Sequence, residues 1–197
     1  MIKGMGERLG KVYFLKDFEE FREKYPFMCI KDTSSDLDKT IAMSRFPSEI
    51  KQNLYLGTMM NVVDKKEVHL NLLGIKTIIY FTPGKFEELE GKYNCIHHEV
   101  QQNERPLLDI ETVCDYIINE LQTKENTPIL VFCINGVISS AVCTRVMLRT
   151  NKAWSKEIAL AYIMNKRYEA KDMPSWLFSQ IVVGEVKKPP KEQELAN

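Results

Sequence analysis

Apolar residues fall in short runs along this chain, and the spacing inside the runs switches between strand and helix periods. Residues 75–81 (IKTIIYF) are β-branched and aromatic and stop at Thr82-Pro83-Gly84, which predicts a buried strand. Residues 53–57, 93–100 and 128–132 predict further strands. Between them lie helix-period stretches. One covers 62–73 and ends at Gly74 as a C-cap. Another covers 106–121, with Leu108, Val113, Ile117 and Leu121 on its apolar face. Three more cover 140–148, 155–165 and 175–183. Near the N-terminus, 11–15 predicts a strand and 17–25 a short helix carrying Phe18, Phe21 and Tyr25 on one face, stopped by Pro26. No internal repeat is visible. Alternating strands and helices around apolar central strands predict an α/β fold, a central, partly parallel sheet flanked by helices. The division is a short element at 1–32, a polar linker at 33–45, a main domain at 46–186 and a flexible tail at 187–197 containing Pro189-Pro190.

Composition narrows the classes of function. The 27 basic residues balance 27 acidic ones, so charge gives no argument for nucleic acid or an anionic membrane. No apolar run approaches the ~20 residues of a membrane span, and the N-terminus has no apolar signal core. The five cysteines (29, 95, 114, 133 and 143) are odd in number and lack CxxC spacing, which points to a reducing compartment, not a disulfide frame or zinc site. A cytoplasmic protein, with the nucleus also open to it, is expected, with no cofactor, no metal, no nucleic-acid partner and no membrane partner. His97-His98 is no exception, because neighbours on a strand point to opposite faces.

The chemistry concentrates at Cys133-Ile134-Asn135-Gly136-Val137-Ile138-Ser139-Ser140. This segment follows the 128–132 strand and leads into a helix. Strand, tight loop with a glycine, then helix is a geometry that aims backbone N–H groups at an anion. The same N–H groups and the helix dipole favour a thiolate at Cys133. Alternatively Cys133 is a small buried hydrophobe at a strand end. Ser139-Ser140 is expected to cap the following helix.

This loop resembles the His-Cys-x-x-Gly-x-x-Arg-Ser/Thr signature of tyrosine and dual-specificity phosphatases. Cys133, Gly136 and Ser140 match, while Phe132 stands at the histidine and Ser139 at the arginine. Residues 47–58 (PSEIKQNLYLGT), 72–82 (LLGIKTIIYFT) and 175–181 (SWLFSQI) resemble the opening strand, a helix-to-strand segment and the last helix of that domain. Residues 10–29 resemble the end of the rhodanese-like domain that precedes the catalytic domain of MAP-kinase phosphatases. The pairing is most similar to the MAP-kinase-phosphatase-like STYX pseudophosphatases. The resemblance implies that Cys133 is the nucleophile position, that Ile134, Asn135, Gly136, Val137, Ile138 and Ser140 form the phosphate-binding loop, and that Gln102 or Asn103 occupies the general-acid position, with Glu104 nearby.

Cleaving a phosphate ester this way takes a thiolate, donors for the non-bridging oxygens and an acid for the leaving group. An arginine would supply two parallel charge-assisted bonds, whereas Ser139 offers one neutral hydroxyl. Arg145, farther along the helix, is expected to point off the loop axis, and Arg105 and Arg167 to be solvated surface charges. These departures imply a catalytically impaired pseudophosphatase, a binding or regulatory module in phosphorylation signalling with phosphoproteins, kinases or other phosphatases as partners. A residual phosphatase using Cys133, and a scaffold whose loop is only structural, are the alternatives.

Overall fold

The computed structural model describes residues 17, 19, 20, 46–63, 67–101 and 108–181. The chain divides into two units, Met1–Met43 and Ser44–Asn197. In the first, Glu19 and Glu20 are helical, and their backbone N–H groups donate to Asp17 Oδ1 at 2.9 and 3.1 Å, an N-cap arrangement. The rest of the element predicted at 1–32, the linker up to 45 and the tail at 187–197 lie outside the described residues.

The second unit is built on a five-stranded sheet: β1 (Ser48–Lys51), β2 (Leu54–Thr58), β3 (Thr77–Thr82), β4 (Asn94–Glu99) and β5 (Ile129–Cys133), in the spatial order β1-β2-β5-β3-β4. β2, β5, β3 and β4 run parallel to one another, and β1 alone is antiparallel, turning into β2 through Asn53 at φ +67°. The β1 hairpin has no counterpart in the hydrophobic pattern. Ser48–Lys51 is a mostly polar edge strand that buries Ile50 alone. β3 and β5 are buried throughout, as strands covered on both faces must be.

The helices are α1 (Glu67–Leu72), α2 (Ile110–Thr123), α3 (Val137–Thr150), α4 (Lys156–Lys166) and α5 (Ser175–Gln180), with 3-10 turns at Met59–Asn61 and Tyr168–Asp172. Several boundaries differ from expectation. The helix predicted over 106–121 begins only at Ile110, with Asp109 as its N-cap and Leu108 before it, and the one predicted over 175–183 ends at Gln180. The helix predicted over 62–73 is confined to α1, because the chain after β2 first makes a 3-10 turn in which Asn61 Oδ1 accepts the Thr58 N–H at 2.8 Å. The helix predicted from 140 begins at Val137, so three residues of the expected loop are already helical.

Alternation along the strands creates two cores. Leu54, Leu56, Ile79, Phe81, Ile129, Val131 and Cys133 face the layer of α2, α3, α4 and α5. Ile78, Tyr80, Leu130 and Phe132 face the other side, with Leu70 of α1 and Leu89. Each fully buried side chain of this kind contributes roughly 1.5–3 kcal/mol. α3 is sheathed on nearly every side, so the loop preceding it is anchored at both ends by fully buried elements.

Candidate functional site

β5 occupies the middle of the sheet, and its last residue is Cys133, in register with Thr58 on one side and Phe81 on the other. The chain must then turn from strand to helix within Ile134-Asn135-Gly136. Gly136 makes that turn possible in two ways. Its φ is +83°, in the region where a side chain is strained, and a Cβ there would lie 2.9 Å from Thr58 Cγ2 and 3.2 Å from Glu169 Cβ. Gly136 is also the N-cap of α3.

Cys133 is only 1% exposed, and its sulfur is met by the loop's own groups. The Ser139 backbone N–H donates to Sγ at 3.4 Å, and the Ser139 hydroxyl lies 3.4 Å from the same atom. The thiol donates towards Asn135 Oδ1 at 3.7 Å. Ser139 is fully buried, and its hydroxyl donates to Gly57 O at 3.1 Å and Gly136 O at 3.2 Å. At the signature's arginine position, therefore, a short side chain points into the protein. Neither Ser139 nor Ser140 caps α3. Both sit in its first turn, and the Ser140 hydroxyl bonds back to Gly136 O at 2.6 Å, because the helix starts earlier than the pattern implied.

Two of the described arginines pair with carboxylates of α2. Arg145 is buried against α2, where its Nε pairs with Glu111, and Arg149 pairs with Asp115 and Glu111. Arg167 corrects the expectation of a solvated charge: it is 2% exposed. Its Nη1 donates to Phe46 O at 2.7 Å, its Nη2 donates to Asn61 Oδ1 at 2.9 Å, and its Nε lies 3.3 Å from Glu169 Oε2. Burial lowers the Arg167 pKa, and Glu169 and the nearby Cys133 oppose that shift. Since Glu169 and Thr58 pack against Gly136, this cluster braces the loop from behind. Sequence reading missed it because its members are scattered; Asn61, so soon after Gly57-Thr58, was the available signal. Arg105 and the general-acid candidates Gln102, Asn103 and Glu104 lie outside the described residues.

Phe132, at the signature's histidine position, faces the opposite core. Its ring stacks on Tyr80 (5.3 Å, 6°), which stacks in turn on His97 (4.8 Å), while Phe86 meets Phe132 at 5.8 Å. His97 Nε2 is 2.9 Å from Thr82 O. His98 points the other way and stacks on Phe81 at 5.0 Å. Burial holds the His98 pKa below the ordinary histidine value, His97 adds to that, and Asp109 opposes it. Burial pushes the Cys114 thiol up to about 12 and raises Cys143 as well, so both stay protonated and serve as packing groups. Among the described residues no cluster of His, Cys, Asp and Glu is arranged to hold a metal.

No protein-family profile matches the chain, and no curated protein matches it in sequence. Solved structures do. The chain is similar to the human tyrosine phosphatase-like serine/threonine/tyrosine-interacting protein, at 19% identity and a TM-score of 0.57, over 70% of this chain and 93% of that one. The Cydia pomonella PTP-2 phosphatase is similar at 19% identity and a TM-score of 0.58, over 69% and 87% of the two chains. Human DUSP28 is similar at 19% identity and a TM-score of 0.56, over 68% and 89%. The fold is that of the tyrosine and dual-specificity phosphatases. In this phosphatase fold, Cys133 ends the central strand and its loop opens α3. None of the described helices is long and apolar enough to cross a membrane.

Proposed function

We propose that this protein is a catalytically impaired member of the phosphatase fold, a pseudophosphatase that acts as a binding or regulatory module in phosphorylation signalling. The observation that carries the reading is Ser139. Where the signature has an arginine to grip a dianion, this chain has a buried hydroxyl committed to Gly57 O and Gly136 O. Losing one such donor slows a reaction on the order of 10²–10³-fold, and a charged bidentate donor carries more. Arg145, Arg149 and Arg167 are each paired with carboxylates, and none of them stands at the signature's arginine position. The resemblance to the STYX pseudophosphatases points the same way. The partners that fit are phosphoproteins, carrying phosphorylated serine, threonine or tyrosine, and the kinases or phosphatases that handle them.

One observation favours a second reading, a residual cysteine-dependent phosphatase. The chain keeps Cys133 at the end of the central strand with a helix N–H directed at its sulfur. Hydrolysis of an aryl phosphate separates the two, because its good leaving group masks the loss of a general acid. The expected result is a rate near background that is the same for the parent and Cys133→Ser. Turnover that disappears in Cys133→Ser would give the second reading the site.

A further inference from the structure

Asn135 is an exposed residue of the loop whose side chain reaches the thiol. Its Oδ1 accepts the backbone N–H of Val137, the first residue of α3, at 3.2 Å, and lies 3.7 Å from Cys133 Sγ. That oxygen thus combines two contacts that a bound oxyanion would make: one with an N–H at the helix start, and one with the sulfur. Two more N–H groups of the first turn are also served internally. The Ser139 N–H goes to Cys133 Sγ and the Ser140 N–H to Gly136 O at 3.1 Å. Asn135 itself is solvent-exposed, whereas Cys133 is buried. Nothing in either core holds the carboxamide in place, so moving it leaves the packing intact.

We propose that Asn135 closes the loop: its carboxamide oxygen occupies the seat of an anion oxygen and lids the Cys133 thiol, so that the loop opens only when this side chain swings outward. The proposal rests on reading the loop as an oxyanion cradle, and it deepens that reading. The site is not merely missing its arginine but is filled by its own side chain. Ser139→Arg alone would then meet a mouth already occupied, and the two substitutions would act together, not independently.

The test uses the full chain as parent, Asn135→Ala, Asn135→Asp, Ser139→Arg and the Asn135→Ala/Ser139→Arg double variant. Two quantities are measured: the rate of Cys133 alkylation by iodoacetamide, followed on its own peptide by mass spectrometry, and tungstate binding by calorimetry. Asn135→Ala should alkylate Cys133 about three- to tenfold faster while still unfolding cooperatively, the population shift that one neutral hydrogen bond commands. Asn135→Asp keeps an acceptor for the Val137 N–H and should alkylate no faster than the parent. The gain in tungstate affinity from Ser139→Arg should be larger when Asn135 is also replaced. Alkylation of Asn135→Ala at the parent's rate, or an equal tungstate gain with and without Asn135, would overturn the proposal. If alkylation accelerates but no variant binds tungstate, the lid stands and the cradle reading falls. Asn135→Ala leaves the core untouched, so its alkylation rate decides the matter even if Ser139→Arg does not fold.

Discussion

Gly136 is flanked by Thr58 from β2 and Glu169 from the 3-10 turn after α4, and its backbone sits at φ +83°. Both facts oppose a side chain there. Gly136→Ala should therefore lower the unfolding free energy by about 1–3 kcal/mol, the range for a residue forced into a strained backbone region. Urea titration would show it, and a change within a few tenths of a kcal/mol would mean that the turn relaxes freely. Ser139 illustrates the opposite situation. Its side chain is small and fully buried, with its one hydroxyl proton shared between Gly57 O and Gly136 O, so it stabilises the loop. At this scale the chemistry of the site is a matter of which oxygen sits near one sulfur.

Elements decide which side chains are presented together. β4 sends His97 to one core and His98 to the other, and the His98 ring lies flat against Phe81. Its folded pKa is depressed by burial, so the unfolded chain binds the proton first as pH falls. Above the ordinary histidine value of about 6.5 both states are neutral and the full stability is present; below it stability is lost. His98→Gln removes this dependence. The stability advantage of the parent over His98→Gln should thus be larger at pH 7.5 than at pH 5.5, read as the difference in urea midpoints. An advantage that grows on acidification would show that Asp109 outweighs burial. The strands carrying these residues were readable from their apolar runs. The start of α3 was not, because Val137-Ile138 looks equally at home in a loop or a helix until Gly136 is seen to cap it. Val62 and Val63 misled in the other direction: they continue an apolar pattern, but the backbone there follows the Asn61 side chain into a tight turn.

At the scale of the whole domain, Arg167 joins segments that are remote in sequence. Its partners Phe46 and Asn61 are 121 and 106 residues away, and Glu169 carries the contact on to Gly136. Removing one partner from a buried, hydrogen-bonded ion pair costs about 3–5 kcal/mol, and Arg167→Met should approach that figure. Glu169→Gln should cost less, since Arg167 would keep Phe46 O and Asn61 Oδ1. Thermal unfolding of both variants checks the order, and a smaller loss for Arg167→Met would show that the cluster is not a brace. Nothing local to 166–169 announces this role, which is why the burial of Arg167 could not be read from the chain. The α/β class and the position of the cysteine loop could be, because they depend on near neighbours and on short-range periodicity.

Phe132 and Cys133 are adjacent in the chain but belong to opposite layers of the sheet, and this bears on how such a domain could be made a hydrolase. An arginine at 139 needs room on the α3 side only. A histidine at 132 must be housed on the other side, in the slot where Phe132 meets Tyr80 and Phe86. A ring nitrogen left unmatched there would cost about 1–3 kcal/mol. Converting the loop is therefore also a problem of repacking aromatic rings that never approach the sulfur, and a redesign confined to the visible site would leave its harder half undone.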